Sequence, residues 1–232
     1  MAGEHSSKQY DLDLESIRSK VLLMGGLVEN QFRDAIVCFR TGNIELARQV
    51  IKGDENVNRM EVVLDDTCSH LIVRRQPTAN DLRTVMATIK IITDLERIGD
   101  EATKIARTAA NLHERGVGTV NHYETIRVIS NSATGLLHDA LDAFARLDKS
   151  QAVKLIAQDA AIDHEFRSIM RSLITFMMED PRTISAALDT LWAAKAIERI
   201  GDHAKNIAEY VIYIVDGKDI RHTDYVSANS EQ

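Results

Sequence analysis

The chain has 232 residues, 44 % of them hydrophobic, and a formal net charge of −7, which is length and apolar content enough for a packed core. Lysine and arginine are scattered rather than blocked, which argues against the basic footprint of a nucleic-acid or anionic-lipid binder. Two cysteines, Cys38 and Cys68, make no disulfide framework or cysteine zinc site, and within helical patterns both read as small buried apolar residues.

The start, Met1 to Gln9, is polar, and the longest strongly apolar run, Tyr210 to Val215, is far too short to cross a bilayer. The expectation is a cytoplasmic protein with no direct membrane insertion. Two prolines and eleven glycines leave few breakers, so nearly everything reads as helix. The first predicted helix runs from about Leu12 to Thr41, with Ile17, Val21, Met24, Val28, Phe32 and Phe39 at three-and-four spacing. A second follows the Thr41-Gly42-Asn43 turn, from Ile44 to about Arg74, and stops ahead of Pro77. Thr78 to Asp81 supply N-cap candidates for a third, which reaches about His113. Glu114 to Asn121, with Gly116 and Gly118, breaks the pattern and marks a boundary. Helices four to six run from about His122 to Arg146, Ser150 to Met178 and Arg182 to Val215.

The second half repeats the first. Glu96-Arg97-Ile98-Gly99-Asp100 returns 102 positions later as Glu198-Arg199-Ile200-Gly201-Asp202. Asp34, Phe39 and Ala47 correspond to Asp139, Phe144 and Ala152 at an offset of 105. Shared order of this kind points to duplication. The predicted fold is all-α: two tandem pseudo-symmetric three-helix bundles of six long helices, at residues 10–114 and 121–217, with flexible tails at 1–9 and 218–232.

Glu and Asp four apart share a helix face. Around Glu96 that face carries Val85, Ile89, Ile92, Gly99, Asp100 and Thr103; around Glu198 it carries Ala187, Leu191, Ala194, Gly201, Asp202 and Lys205. Each acid pair therefore continues an apolar stripe. Asp34 and Asp139 also lie among apolar neighbours on the first and fourth helices. A carboxylate so placed must be protonated, paired with a base or bound to a cation. In the structural alternative, Arg97 and Arg199 pair with acids of neighbouring helices while Gly99 and Gly201 permit close backbone approach. In the metal alternative, carboxylates from facing helices favour Mg, Mn, Ca or Fe. Neither motif has the Glu-x-x-His of ferritin-like centres. His138, His164 and His203 read as surface or interhelical histidines. No phosphate loop or nucleophile elbow occurs, so no enzyme is expected.

The doubled Glu-Arg-Ile-Gly-Asp, Gln76-Pro77-Thr78-Ala79 followed by Asp81-Leu82-Arg83, and the closing Ile207-Ala208-Glu209-Tyr210-Val211 resemble the PhoU family of phosphate-specific transport system accessory proteins. The resemblance spans about Tyr10 to His222. It implies a cytoplasmic regulator, usually a homodimer, that restrains the phosphate-starvation response. In this family picture an adaptor couples the Pst phosphate ABC transporter, through its PstB-type ATPase subunit, to a PhoR-type sensor histidine kinase. The alternative is a carboxylate-bridged metal-binding or metal-storage helical protein.

The resemblance also implies divalent or trivalent metal ions (Mg, Mn, Fe or Zn) at Glu96 with Asp100 and Glu198 with Asp202. Asp34 and Asp139 join them as candidates, although Asn30 and Gly135 replace the preceding acid of the family motif there. Beyond the motif, the copies differ at Lys104 and Asn206. Repulsion by Lys104 predicts that the second site holds a cation more tightly than the first.

Overall fold

The computed structural model describes residues 2–116 and 119–221. It contains six α-helices: α1 (Ala2–Thr41), α2 (Ile44–Arg75), α3 (Ala79–Glu114), α4 (Thr119–Arg146), α5 (Lys149–Glu179) and α6 (Ile184–Asp216). A 3₁₀ turn at Pro181–Thr183 leads into α6.

Local chemistry sets the breaks. Asn43 caps α2 by accepting from the Leu46 amide at 3.0 Å, and Asp148 caps α5 by accepting from Gln151 at 3.0 Å. Gln76 ends α2 in the left-handed region, and Gly217 does the same for α6. The predicted helices are therefore right in number and order, with two corrections at the ends. Residues 2–9, read as a tail, continue α1. Their polar sequence hides the helix, which is held where buried Tyr10 donates its hydroxyl to the Asp81 carbonyl at 3.2 Å. The C-terminal tail also begins as ordered packing: Ile220 is buried and the Arg221 guanidinium lies 5.8 Å from the Tyr210 ring centre. Residues 222–232 lie outside the described residues.

Helices α1, α2 and α3 form one bundle and α4, α5 and α6 the other. The bundles join along a seam where α3 packs on α6 and α1 on α4, leaving α2 and α5 as outer helices. Because α3 and α6 each meet both other helices of their own bundle and also pack on each other, they are buried on several faces, with residues such as Ile91, Ile98, Ile197 and Ile200 fully enclosed. The motif helices are thus the fixed centre of the molecule. Cys38 and Cys68 are buried and free, and burial pushes both thiols up to about 11.

Candidate functional site

Helices α3 and α6 run antiparallel. Arg83, near the start of α3, lies 5.8 Å from the Tyr213 ring near the end of α6, while Arg115 at the end of α3 bonds Ser185 and Asp189 at the start of α6. The two motifs therefore meet halfway along the seam. There Glu101, buried, accepts from Lys104 at 2.9 Å and from Arg199 of the other bundle at 3.2 Å. Asp94, also buried, accepts from His203 Nδ1 at 2.7 Å and Asn206 at 3.2 Å, both on α6. A cleft of about 390 Å³ opens over this region, lined by Arg97, Asp100, Glu101, Lys104, Arg199, Asp202 and His203.

Behind the seam, each motif faces the outer helix of its own bundle. In the first bundle, Gly99 brings α3 close to α2: a methyl added there would lie 3.1 Å from Asp54 Oδ1 and 3.3 Å from Gln31 Oε1. Gln31 is buried, and its amide nitrogen donates to Asp54 Oδ1 at 3.0 Å and Thr103 Oγ1 at 3.2 Å. Its Oε1 is enclosed and has no partner. Burial, then Asp100, Glu61 and Asp54, raises the Glu96 carboxyl above the usual carboxylate range. Glu61 is raised by burial, then by Asp65 and Asp100, and Asp65 by burial alone. Five carboxylates thus share this side of the bundle, on α2 and α3. Among the described residues none of Asp54, Glu61, Asp65, Glu96 and Asp100 has a basic side chain within ion-pair distance.

The second bundle solves the same problem differently. Gly201 again allows close approach, here of the Ile162 side chain of α5, whose Cδ1 would lie 2.9 Å from an added methyl. Asp159, the equivalent of Asp54, accepts from Lys205 at 2.9 Å, and both Glu198 oxygens accept from Lys195, at 2.6 and 2.5 Å. Lys195 also lies 5.2 Å from the Phe166 ring centre. Burial, then Glu198, Asp159 and Asp163, pushes the Asp202 carboxyl up to about 6, against the pull of Lys195.

The first cluster fits a hard cation by its donors: several carboxylates, an enclosed amide oxygen without a partner, and a buried Asp54 whose hydrogen-bond donor is a neutral amide. The second fits poorly, since ammonium groups already occupy Glu198 and Asp159. Among the described residues no three Asp, Glu, His or Cys side chains already converge as a ligand set. A cation in the first bundle would therefore have to draw its ligands together by side-chain rotation.

The acids facing Glu96 and Glu198 come from α2 and α5. Asp34 is half-buried in a groove between α1 and α2 beside Gln49 and Asn56, and Asp139 is half-buried on α4. The reason is rotational: α1 turns Val28, Phe32 and Ala35 into the core, which swings Asp34 to the side of that buried face. Arg199 makes the interhelical pair expected of it, and the partner, Glu101, was missed because nothing in sequence says which face of α3 meets α6. Lys104 lies against Glu101 in the seam, away from the role of repelling a cation at Glu96. His203 and His138 bridge helices, to Asp94 and Glu29, and His164 is exposed.

A model of the PhoU domain matches residues 21–109 and 126–211, one copy in each bundle. The chain is 48 % identical over 218 residues to the phosphate-specific transport system accessory protein PhoU homolog of Pseudomonas putida, covering 94 % of this chain and 85 % of that protein. It is 46 % identical over 220 residues to phosphate-specific transport system accessory protein PhoU of Escherichia coli, covering 95 % and 90 %. The crystal structure of PhoU from Pseudomonas aeruginosa superposes with a TM-score of 0.87 at 45 % identity, covering 90 % of this chain and all of that one. That of the phosphate transport system regulatory protein PhoU from Streptococcus pneumoniae gives 0.82 at 26 % identity, covering 90 % and 98 %. With both bundles matched and the fold shared, this chain belongs to the PhoU domain family.

Proposed function

We propose that this protein is a non-enzymatic accessory protein of a phosphate transport system. It acts in the cytoplasm as an adaptor, coupling a Pst-type phosphate ABC transporter, through a PstB-type ATPase subunit, to a PhoR-type sensor histidine kinase, and it restrains the phosphate-starvation response. The observation that carries this reading is the pair of PhoU-domain matches, shared over nearly full length with relatives named as transport accessory proteins. The geometry agrees with a scaffold: buried polar groups at the seam are used up in joining the bundles, and no helix among the described residues is long and apolar enough to cross a membrane. A homodimer belongs to the same reading, and so does a cation at Glu96 and Asp100. The metal-store alternative has no comparable support.

Co-purification from cells grown in excess phosphate tests the adaptor. Tagged protein is expected to carry the ATPase subunit and the kinase with it, and deletion of the gene to switch on a phosphate-starvation reporter in phosphate-rich medium. Neither partner captured and a silent reporter would overturn the proposal. Solution mass tests the dimer.

A further inference from the structure

The two acidic clusters differ by substitutions that the duplication makes easy to read. Lys195 and Lys205 of α6 stand where α3 has Thr93 and Thr103, at the same offset as the motifs themselves. Across from them, Phe166 and Met170 of α5 stand where α2 has Glu61 and Asp65. Leu136 of α4 stands where α1 has Gln31. The two lysines bring positive charge into the second bundle, and Phe166, Met170 and Leu136 take away oxygens that the first bundle offers.

The geometry carries this beyond sequence. Asp159 and Asp54 are equivalent, and both are buried, at 4 % and 9 % exposure. An ammonium 2.9 Å away neutralises Asp159, whereas Asp54 has an amide nitrogen at 3.0 Å, which carries no charge. The same amide aims an enclosed, unpartnered oxygen toward Gly99, beside Asp54 Oδ1. A buried carboxylate without a cation and a buried carbonyl oxygen without a donor are both costly unless something positive reaches them.

We infer that the duplicated site has split: Lys195 and Lys205 serve as the resident cations of the second bundle, and only the first, built on Asp54, Glu61, Glu96, Asp100 and Gln31, takes a divalent metal. This rests on the cation-binding part of the proposed function and reverses the order of affinity that Lys104 alone suggests. Lys104 is held by Glu101 at the seam, while the lysines that matter for a cation lie on the other copy.

Mn²⁺ binding to the full-length untagged protein, followed by its electron paramagnetic resonance signal after removal of free metal, tests the split. Glu96→Gln with Asp100→Asn is expected to abolish bound Mn²⁺, and Glu198→Gln with Asp202→Asn to leave it at the wild-type level. Lys195→Thr with Lys205→Thr, which installs the residues of the first copy, is expected to add bound Mn²⁺. Without metal this last variant melts below wild type, because Asp159 has lost its cation, and Mn²⁺ restores it. Equal losses from the two acid pairs, no Mn²⁺ on wild type, or a folded lysine variant that gains none would each overturn the proposal. The adaptor reading is decided separately, by co-purification with the transporter ATPase and the kinase, so either can fail alone.

Discussion

The two bundles carry the same five residues midway along equivalent helices, α3 and α6, yet those residues do different work. In the first, Arg97 is exposed and Glu96 stands among acids; in the second, Arg199 reaches across to Glu101 and Glu198 is gripped by Lys195. A short motif fixes what a helix presents, whereas the packed neighbours decide what becomes of it. Here the neighbours differ between the copies while the motif does not, and each difference can be broken by substitution.

The largest expected effect is at Lys205. Lys205→Met strips the ammonium from buried Asp159 and leaves an uncompensated charge, a class of change that costs about 3–5 kcal/mol when fully buried. Lys205 keeps 32 % of its side chain exposed, so water can reach the site and about 2 kcal/mol is expected. The equivalent change in the first bundle, Thr103→Ala, removes one of several acceptors around the Gln31 amide and should cost about 0.5–1 kcal/mol. Urea unfolding of both variants measures the gap. Equal losses would mean that the two bundles satisfy their buried aspartates alike.

Asp202 gives a pH signature. Its folded carboxyl is raised to about 6 from an ordinary 3.8, so between those values the folded state holds more proton than the unfolded state. Stability therefore falls as pH rises through that window and stays lower above it. Asp202→Asn removes the dependence. The variant should match wild type near pH 4 and exceed it by about 1–2 kcal/mol at pH 7, a figure discounted for partial exposure. A wild type whose melting temperature does not fall relative to Asp202→Asn across this range would contradict the crowding of Glu198, Asp159 and Asp163 around it.

How much of this was legible in the sequence depends on which helix period carries it. The shared face of each acid pair, the apolar stripe leading to it and the close approach at Gly99 and Gly201 follow from 3.6 residues per turn within one helix, and the structure has them, with Glu198 buried, Glu96 and Asp202 half-buried and Asp100 exposed. Glu61 and Asp65 could not be picked out, because α2 also displays Glu55 and Asp66 to solvent and only its rotation against α3 selects among them. The lysines show the same limit. Lys205 is on the motif face by periodicity, but that it meets Asp159 depends on how far α5 slides along α6. Lys104 differs between the copies, and its packing against Glu101 on the seam, which the helix period does not encode, sets its role.

The glycines test the packing more gently. An alanine at either position gains about 1 kcal/mol of helix propensity, and the neighbours decide whether that gain survives. At Gly201 the new methyl meets the terminal carbon of Ile162, which can rotate away, and its branch methyl at 3.3 Å, which must yield slightly and offsets the propensity gain, so Gly201→Ala should be close to neutral. At Gly99 it meets an Asp54 oxygen held by the Gln31 amide nitrogen and the enclosed Oε1 of that same amide, neither of which can move without disturbing the buried hydrogen bonds of Gln31, so Gly99→Ala should lose about 1 kcal/mol net. Thermal unfolding separates the two. The reverse order would show that the polar set on α2 is the looser packing.

The smallest expected effect concerns the motif arginines, and it isolates the seam from everything else. Arg199 Nη1 lies 3.2 Å from Glu101 Oε1, but its side chain is 53 % exposed and Lys104 holds the same oxygen. Arg199→Ala should therefore cost only about 0.5–1 kcal/mol. Arg97 is exposed in the cleft and has no ion-pair partner within reach among the described residues, so Arg97→Ala should change stability by less than about 0.5 kcal/mol. Salt discriminates the cause: about 1 M sodium chloride shortens the screening length to roughly 3 Å, which should shrink the Arg199 effect and leave Arg97 unchanged. If both arginines lose the same amount and both losses fade in salt, they act through the general field of the acidic helices, and the bundles are joined by apolar packing and the Asp94 contacts alone.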